Sequence, residues 1–268
     1  MIVIAHFIAI SCYIAAAGLA ALPFARRVSA PVNGVIAVLS IGLASHALAL
    51  LAFARESGSG SLTGLGPALS FAGFVLGVAL LLVEGVAREV SLTLFAAPLA
   101  ALVTIAANVS GLRPLLDPQG TQAVWLAMHI VLSFAGMAAY ATAAAAGTMY
   151  LIARRELKSA RFGAIFRFFP PLDTLDRVNH YASIAGFLGL TTGLALAGAY
   201  SIAYKTLVVP QIIWGLGAWV CVGALALGRI LHGLQARRAA IMSAVTFVSV
   251  IALYVVFRAA SLDRGQFL

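Results

Sequence analysis

An all-α, polytopic transmembrane bundle of about eight helices, with both termini outside, is the fold class that the sequence predicts, on three observations. Only 9% of the 268 residues are charged and 63% are hydrophobic, whereas a domain solvated by water carries roughly 25% charged residues. Apolar runs recur that are long enough to cross a hydrocarbon layer of about 30 Å. Lysine and arginine gather in alternate connections, as they do when every second loop faces the cytoplasm. The mean hydropathy of +1.05 agrees with all three. The expected domain is a single transmembrane one covering residues 1–268.

Taken in order, the apolar segments run from about Ile2 to Ala25, Val32 to Ala54, Leu69 to Val86, Leu92 to Val109, Ala123 to Ala153, Val178 to Tyr204, Pro210 to Leu231 and Ala239 to Phe257. Most meet the length of about 20 residues that a spanning helix needs; the third and fourth are shortest. The first segment places its charges, Arg26 and Arg27, after the apolar run. A cleaved signal peptide has them before it, so this segment reads as a retained helix.

The connections after segments 1, 3, 5 and 7, with their helix ends, hold Arg26, Arg27, Arg88, Arg154, Arg155, Lys158, Arg161, Arg167, Arg177, Arg229, Arg237 and Arg238. The other side holds Arg55, Arg113, Lys205, Arg258 and Arg264. This asymmetry puts the basic loops in the cytoplasm and the N-terminus outside, in a multi-pass membrane protein. It also accounts for the net charge of +9, so nucleic acid is not an expected partner. Lipid is.

The outer connections, ESGSGSLTGLGP, SGLRPLLDPQGTQ and the few residues around Lys205, are too short to fold separately, which leaves any chemistry among the helices or at their ends. The largest inner connection, RRELKSARFGAIFRFFPPLDTLDRV, mixes basic residues with Phe162, Phe166, Phe168 and Phe169. It is expected to lie at the membrane surface as an amphipathic turn or helix, broken at Pro170 and Pro171. Cys12 and Cys221 stand in apolar runs without a CxxC or CxxCH pattern, which argues against disulfide chemistry and covalent haem attachment.

Ionisable groups inside a membrane are costly enough to mark functional positions, and here the histidines are the informative set. At 1.5 Å per residue His6 lies about 7 Å, His46 about 12 Å and His129 about 9 Å from the outer ends of their helices. Three imidazoles from three helices therefore share one depth. Two of them at matched depth could ligate a porphyrin iron axially, with His129 and His46 the sharpest pair and His6 the substitute. The alternative is that these histidines only hydrogen-bond to serine or backbone. His180 and His232 fall near the cytoplasmic end, where a haem propionate, a second iron or ordinary surface partners are all open to them.

His129 also heads a seam on its helix. Ser133, Gly136, Tyr140, Ala143, Gly147 and Tyr150 follow it at 4,3,4,3 spacing, a small and polar stripe suited to helix contact rather than lipid. Glu84 and Glu89 flank the inner end of the third segment. No helix centre holds paired carboxylates, and no GxSxG, HExxH or phosphate-loop pattern occurs, so the protein is not expected to be an enzyme.

Three stretches carry a family resemblance: SHALALLAF around His46, AMHIVLSFAGMAAYATAAAAGTMYLI around His129, and LDTLDRVNHYASIAGFLGLTTGLALAG around His180. With WGLGAWVCVGALALGRILHGLQARRAAI and the eight-helix plan, the chain resembles the haem-handling membrane proteins of the cytochrome c assembly superfamily (CcsA and CcmC type), in particular the HemX and YpjD-like branch. The resemblance implies that His129, opening an MH-x-x-x-S segment, is an outer-face haem ligand, that His46 takes part, and that haem b is the cofactor. It also implies a membrane-protein partner in cytochrome c assembly. His180 is similar to a histidine of the YpjD-like branch.

The chain departs from that pattern in its seventh segment. A tryptophan-rich outer loop of the form WGxxWxWDP is reduced to Pro210, Trp214 and Trp219, a helix histidine is replaced at about Leu227, and AASLDRGQFL lacks an outer C-terminal histidine. An accessory or regulatory haem-binding role is therefore expected in place of haem presentation to apocytochrome. The runner-up is a haem-free membrane scaffold, or an accessory subunit of a transporter or other membrane complex. Regulation of haem synthesis through the basic inner loop is a third possibility.

Overall fold

The computed structural model describes residues 1–25, 29, 31–57, 62–87, 90–113, 120–159, 168–205, 209–234 and 236–261. Among these residues the regular structure is entirely helical: α1 (Ile2–Ala25), α2 (Val32–Ser57), α3 (Leu65–Ala87), α4 (Thr93–Ser110), α5 (Thr121–Lys158), α6 (Leu172–Tyr204), α7 (Val209–His232) and α8 (Ala236–Ser261). All eight are long and apolar enough to span a membrane. The expected order and number of spans are both found.

The largest differences from the apolar runs lie at the polar ends of α5 and α6. Helix α5 continues through Arg154, Arg155 and Glu156 to Lys158, residues with good helix propensity. Helix α6 starts six residues before Val178, directly after Pro170 and Pro171, with Asp173 in its first turn where the helix dipole favours an acid. Hydropathy marks only the part of a helix that lipid covers. Residues 160–167 of the connection expected at the membrane surface lie outside the described residues, but Phe168 and Phe169 are placed: their rings stand 5.0 Å from Phe24 and 6.3 Å from Phe95. Both rings therefore pack against helices of the protein.

The chain divides into two compact units. In the first, Met1–Asp117 with Met149–Leu175, helices α1 to α4 form a ring: α1 packs on α2 and α4, and α3 packs on the same two. Small residues permit the close approach. A methyl group on Gly42 would fall 2.7 Å from Cys12 Cβ, and one on Gly77 2.8 Å from the Tyr13 hydroxyl. Helix α4 begins after Leu92, which provides no capping side chain. Glu84 of α3 does that work from outside the helix: its carboxylate accepts the Thr93 N–H at 2.6 Å and the Thr93 hydroxyl. A buried carboxylate on a helix N-terminus is well matched to the unpaired N–H groups and the dipole there.

The second unit, Pro118–Thr148 with Asp176–Leu268, is built around the seam of α5. Gly136 and Gly189 meet so closely that a Cβ on Gly136 would lie 2.6 Å from Leu190 N, and one on Gly189 2.6 Å from Gly136 Cα. Two and four residues further along α5, Ala138 and Tyr140 are buried, and Tyr140 packs on Gly186 and Phe247. Helix α7 is fastened on both sides by tryptophan. Trp219 donates its indole N–H to Thr191 Oγ1 of α6 at 2.8 Å and stacks on Phe187; Trp214 donates to the Val250 carbonyl of α8 at 3.2 Å and meets Tyr254.

Candidate functional site: three histidine centres

The first unit brings together His6 and His46, two of the three histidines of matched depth. Both are essentially inaccessible, at 1% and 0% exposure, with ring centroids 5.1 Å apart in an edge arrangement. Ser70 of α3 bridges them: its Oγ is 2.8 Å from His6 Nε2 and 3.3 Å from His46 Nε2. His46 Nδ1 is 3.1 Å from the buried Tyr13 hydroxyl, and Phe74 closes over the same ring at 5.7 Å. Asn108 of α4 interacts with His6 through its side chain, although neither His6 Nδ1 nor Asn108 Oδ1 completes a well-formed hydrogen bond. Four helices thus meet at two imidazoles.

Hydrogen counting orients this chain. Ser70 has one hydroxyl hydrogen, so it donates to one imidazole and accepts from the other. With Tyr13 donating to His46 Nδ1, His46 Nε2–H donates to Ser70 and Ser70 donates to His6 Nε2, which puts the remaining hydrogen on His6 Nδ1, beside the Asn108 side chain but without a well-formed bond. The reverse direction would leave the buried Tyr13 hydroxyl hydrogen without an acceptor, which is costly in an apolar interior. As held, His46 and His6 offer no free nitrogen lone pair. Iron ligation by either would require these bonds to be exchanged.

His129 belongs to the second unit and is held differently. Its Nδ1 lies 2.7 Å from the backbone oxygen of Gly193, with Ser133 Oγ at 3.4 Å from the same nitrogen. A carbonyl oxygen only accepts, so Nδ1 carries the hydrogen and Nε2 keeps its lone pair. That is how metal-ligating histidines are usually oriented, by a carbonyl or carboxylate on the second nitrogen. The half-buried position of the ring fits a ligand on a porphyrin in an apolar setting.

His180 lies at the other end of the second unit in a network that sequence reading missed. Arg229 of α7, counted from sequence among the basic connections and helix ends, has a side chain only 6% exposed. It donates Nε–H to His180 Nδ1 at 3.1 Å, Nη1–H to Asn179 Oδ1 at 2.9 Å and Nη2–H to Asp176 Oδ1 at 2.6 Å. Asn179 in turn donates to the Ala143 carbonyl of α5 at 2.7 Å and to Ser243 Oγ of α8 at 2.8 Å. Because Arg229 must donate, His180 Nδ1 must accept and Nε2 carries the hydrogen. As held, His180 is a hydrogen-bond donor and not a metal ligand.

Among the described residues no three His, Cys, Asp or Glu side chains converge as a protein-only metal site. The residues missed by sequence reading, Tyr13, Ser70, Asn108, Asn179 and Arg229, share one detectable property: each is polar within a span, where a partner is obligatory.

Fold and placement define a multi-pass, all-helical membrane protein whose intramembrane polar groups are organised around histidine. Residues 40–262 match the family described as Cytochrome C assembly protein, so the chain belongs to that family and to cytochrome c biogenesis. The matched region begins within α2 and includes His46, His129 and His180 but not His6. Comparison with curated proteins and with solved structures gave no match.

Proposed function

We propose that this protein is a non-catalytic haem-binding or haem-handling component of cytochrome c biogenesis, resident in a bacterial-type inner membrane with its N-terminus outside. In this reading His129, through Nε2, is the residue that would hold the iron of haem b. The observation that carries it is the 2.7 Å contact between His129 Nδ1 and the Gly193 carbonyl, which leaves Nε2 unprotonated in the neutral ring. Bound haem would supply a redox-active iron. The protein's own part is to hold one imidazole at fixed tautomer and angle and to surround it with apolar helix.

An accessory or regulatory role is supported by Trp214 and Trp219. Both lie inside α7, and both indole N–H groups are bonded to neighbouring helices, so neither residue stands in an outer loop offering a face to haem. His180, with Nε2–H directed away from Arg229, is suited to a carboxylate such as a haem propionate. His46 is assigned here to its hydrogen-bond chain. A partner in the assembly machinery and the HemX or YpjD-like branch are part of the same proposal.

The test is an absorption spectrum of protein purified from haem-replete cells. A Soret band that is lost in His129→Ala and kept in His46→Phe is expected; loss in both would return His46 to the ligand set. A colourless protein that takes up no haem on titration would overturn the reading in favour of a haem-free membrane scaffold.

A further inference from the structure

We propose that Gly193 is a positioning residue which sets the tautomer of His129 against the competing hydroxyl of Ser133, making the ring competent to bind a metal before any ligand arrives. This inference deepens the haem reading and rests on it for the identity of the ligand, but the tautomer itself does not.

Two groups compete for His129 Nδ1. The Gly193 carbonyl, at 2.7 Å, can only accept and therefore requires Nδ1–H. The Ser133 hydroxyl, at 3.4 Å, can also donate, and if it did Nδ1 would be the acceptor and Nε2 would carry the hydrogen. An imidazole in that second state has no lone pair at Nε2 and cannot take a metal there without first losing a proton. The separation of the two groups from Nδ1 decides between the states, and that separation is set by how closely α6 approaches α5.

The approach depends on the absence of a side chain at residue 193. A Cβ at Gly193 would collide with Ser133 Oγ and would stand 3.1 Å from Ser133 N and 3.2 Å from Ser133 Cα. Gly136 and Gly189 hold the same two helices together one turn away, where a Cβ on either would meet backbone at 2.6 Å. An added methyl at 193 must therefore move the Gly193 carbonyl away from His129 or displace Ser133. In the first case the serine hydroxyl becomes the nearest partner of Nδ1, and the ring is expected to change tautomer.

The experiment uses full-length, haem-free protein labelled with 15N-histidine, whose ring nitrogens report protonation at each site, followed by titration with ferric protoporphyrin IX. The wild type is expected to show His129 with Nδ1–H and bare Nε2. Gly193→Ala should shift His129 toward Nε2–H and weaken porphyrin binding about ten- to a hundredfold, the usual effect of losing an outer-shell partner. Ser133→Ala alone should keep both tautomer and affinity, and Gly193→Ala/Ser133→Ala, which removes the colliding hydroxyl, should recover most of the loss.

Nε2–H in the wild type would overturn the proposal, and so would an unchanged tautomer in Gly193→Ala. The wild-type measurement decides the matter even if Gly193→Ala does not fold. Nδ1–H in a protein that never takes up porphyrin would leave the positioning intact and remove the haem reading. The converse, Nε2–H in a protein whose Soret band depends on His129, would remove the positioning alone.

Discussion

Arg229 Nε stands 3.1 Å from His180 Nδ1, and the same guanidinium reaches Asp176 at 2.6 Å. The pair is unequal in its surroundings: the Arg229 side chain is 6% exposed and that of Asp176 31%. Removing one partner of a buried pair costs about 3–5 kcal/mol because the other is left charged and uncompensated. Asp176 can turn to water and Arg229 cannot. Asp176→Asn should therefore destabilise the protein more than Arg229→Gln, with the first near the top of that range and the second near the bottom. Unfolding midpoints of the two variants in mixed detergent check the order, and an inverted order would show that Arg229 is solvated from elsewhere.

Ser70 offers a comparison within one unit. Ser70→Ala removes the bridge between His6 Nε2 and His46 Nε2, leaving two buried ring nitrogens without that partner at about 1–3 kcal/mol each at most. Ser45→Ala removes a donor from the Ala5 carbonyl, a helix carbonyl with its own backbone partner, and should cost under about 1 kcal/mol. Measured side by side, the Ser70 variant should melt first. Equal melting would mean that the histidines find replacement bonds.

Glu84 gives a prediction about helix α4. Glu84→Ala should destabilise by about 1–2 kcal/mol, the usual scale for losing an N-terminal cap that also carries charge. Glu84→Gln keeps one acceptor oxygen for the Thr93 N–H and should recover part of the loss. Hydrogen exchange at residues 93–96 supplies the local readout, since uncapping should speed exchange there without affecting α7.

How much of this could be read beforehand varies with the range of the interaction. Span number and order follow from composition over some 20 residues at a time and were legible throughout. The α5 seam was legible too, because 3.6-residue periodicity places His129, Ser133, Gly136, Tyr140, Ala143 and Gly147 on one face wherever that face points. What it faces was not. Gly193 and Asn179 sit 64 and 36 residues from their partners His129 and Ala143, and no local pattern sets that pairing.

The histidines show the same limit. Depth along a helix grouped His6, His46 and His129 at one level without saying which of them meet, and the residue that bridges His6 and His46, Ser70, comes from a third helix whose position in the ring is not written in its own periodicity. The surroundings of Arg229 were hidden for a related reason. Its basic neighbours in sequence suggested a solvated helix end, whereas Asp176 and Asn179 on another helix enclose it.

The two indoles of α7 have a practical consequence. Trp214 reports on the junction with α8 and Trp219 on the junction with α6, each through a single N–H bond, while the third tryptophan, Trp125, precedes His129 by one helical turn, about 6 Å. Replacing them two at a time with phenylalanine would leave one fluorophore at each junction or beside His129. Emission would then follow the loosening of either contact separately, and a chromophore arriving at His129 would darken the Trp125 signal before the other two.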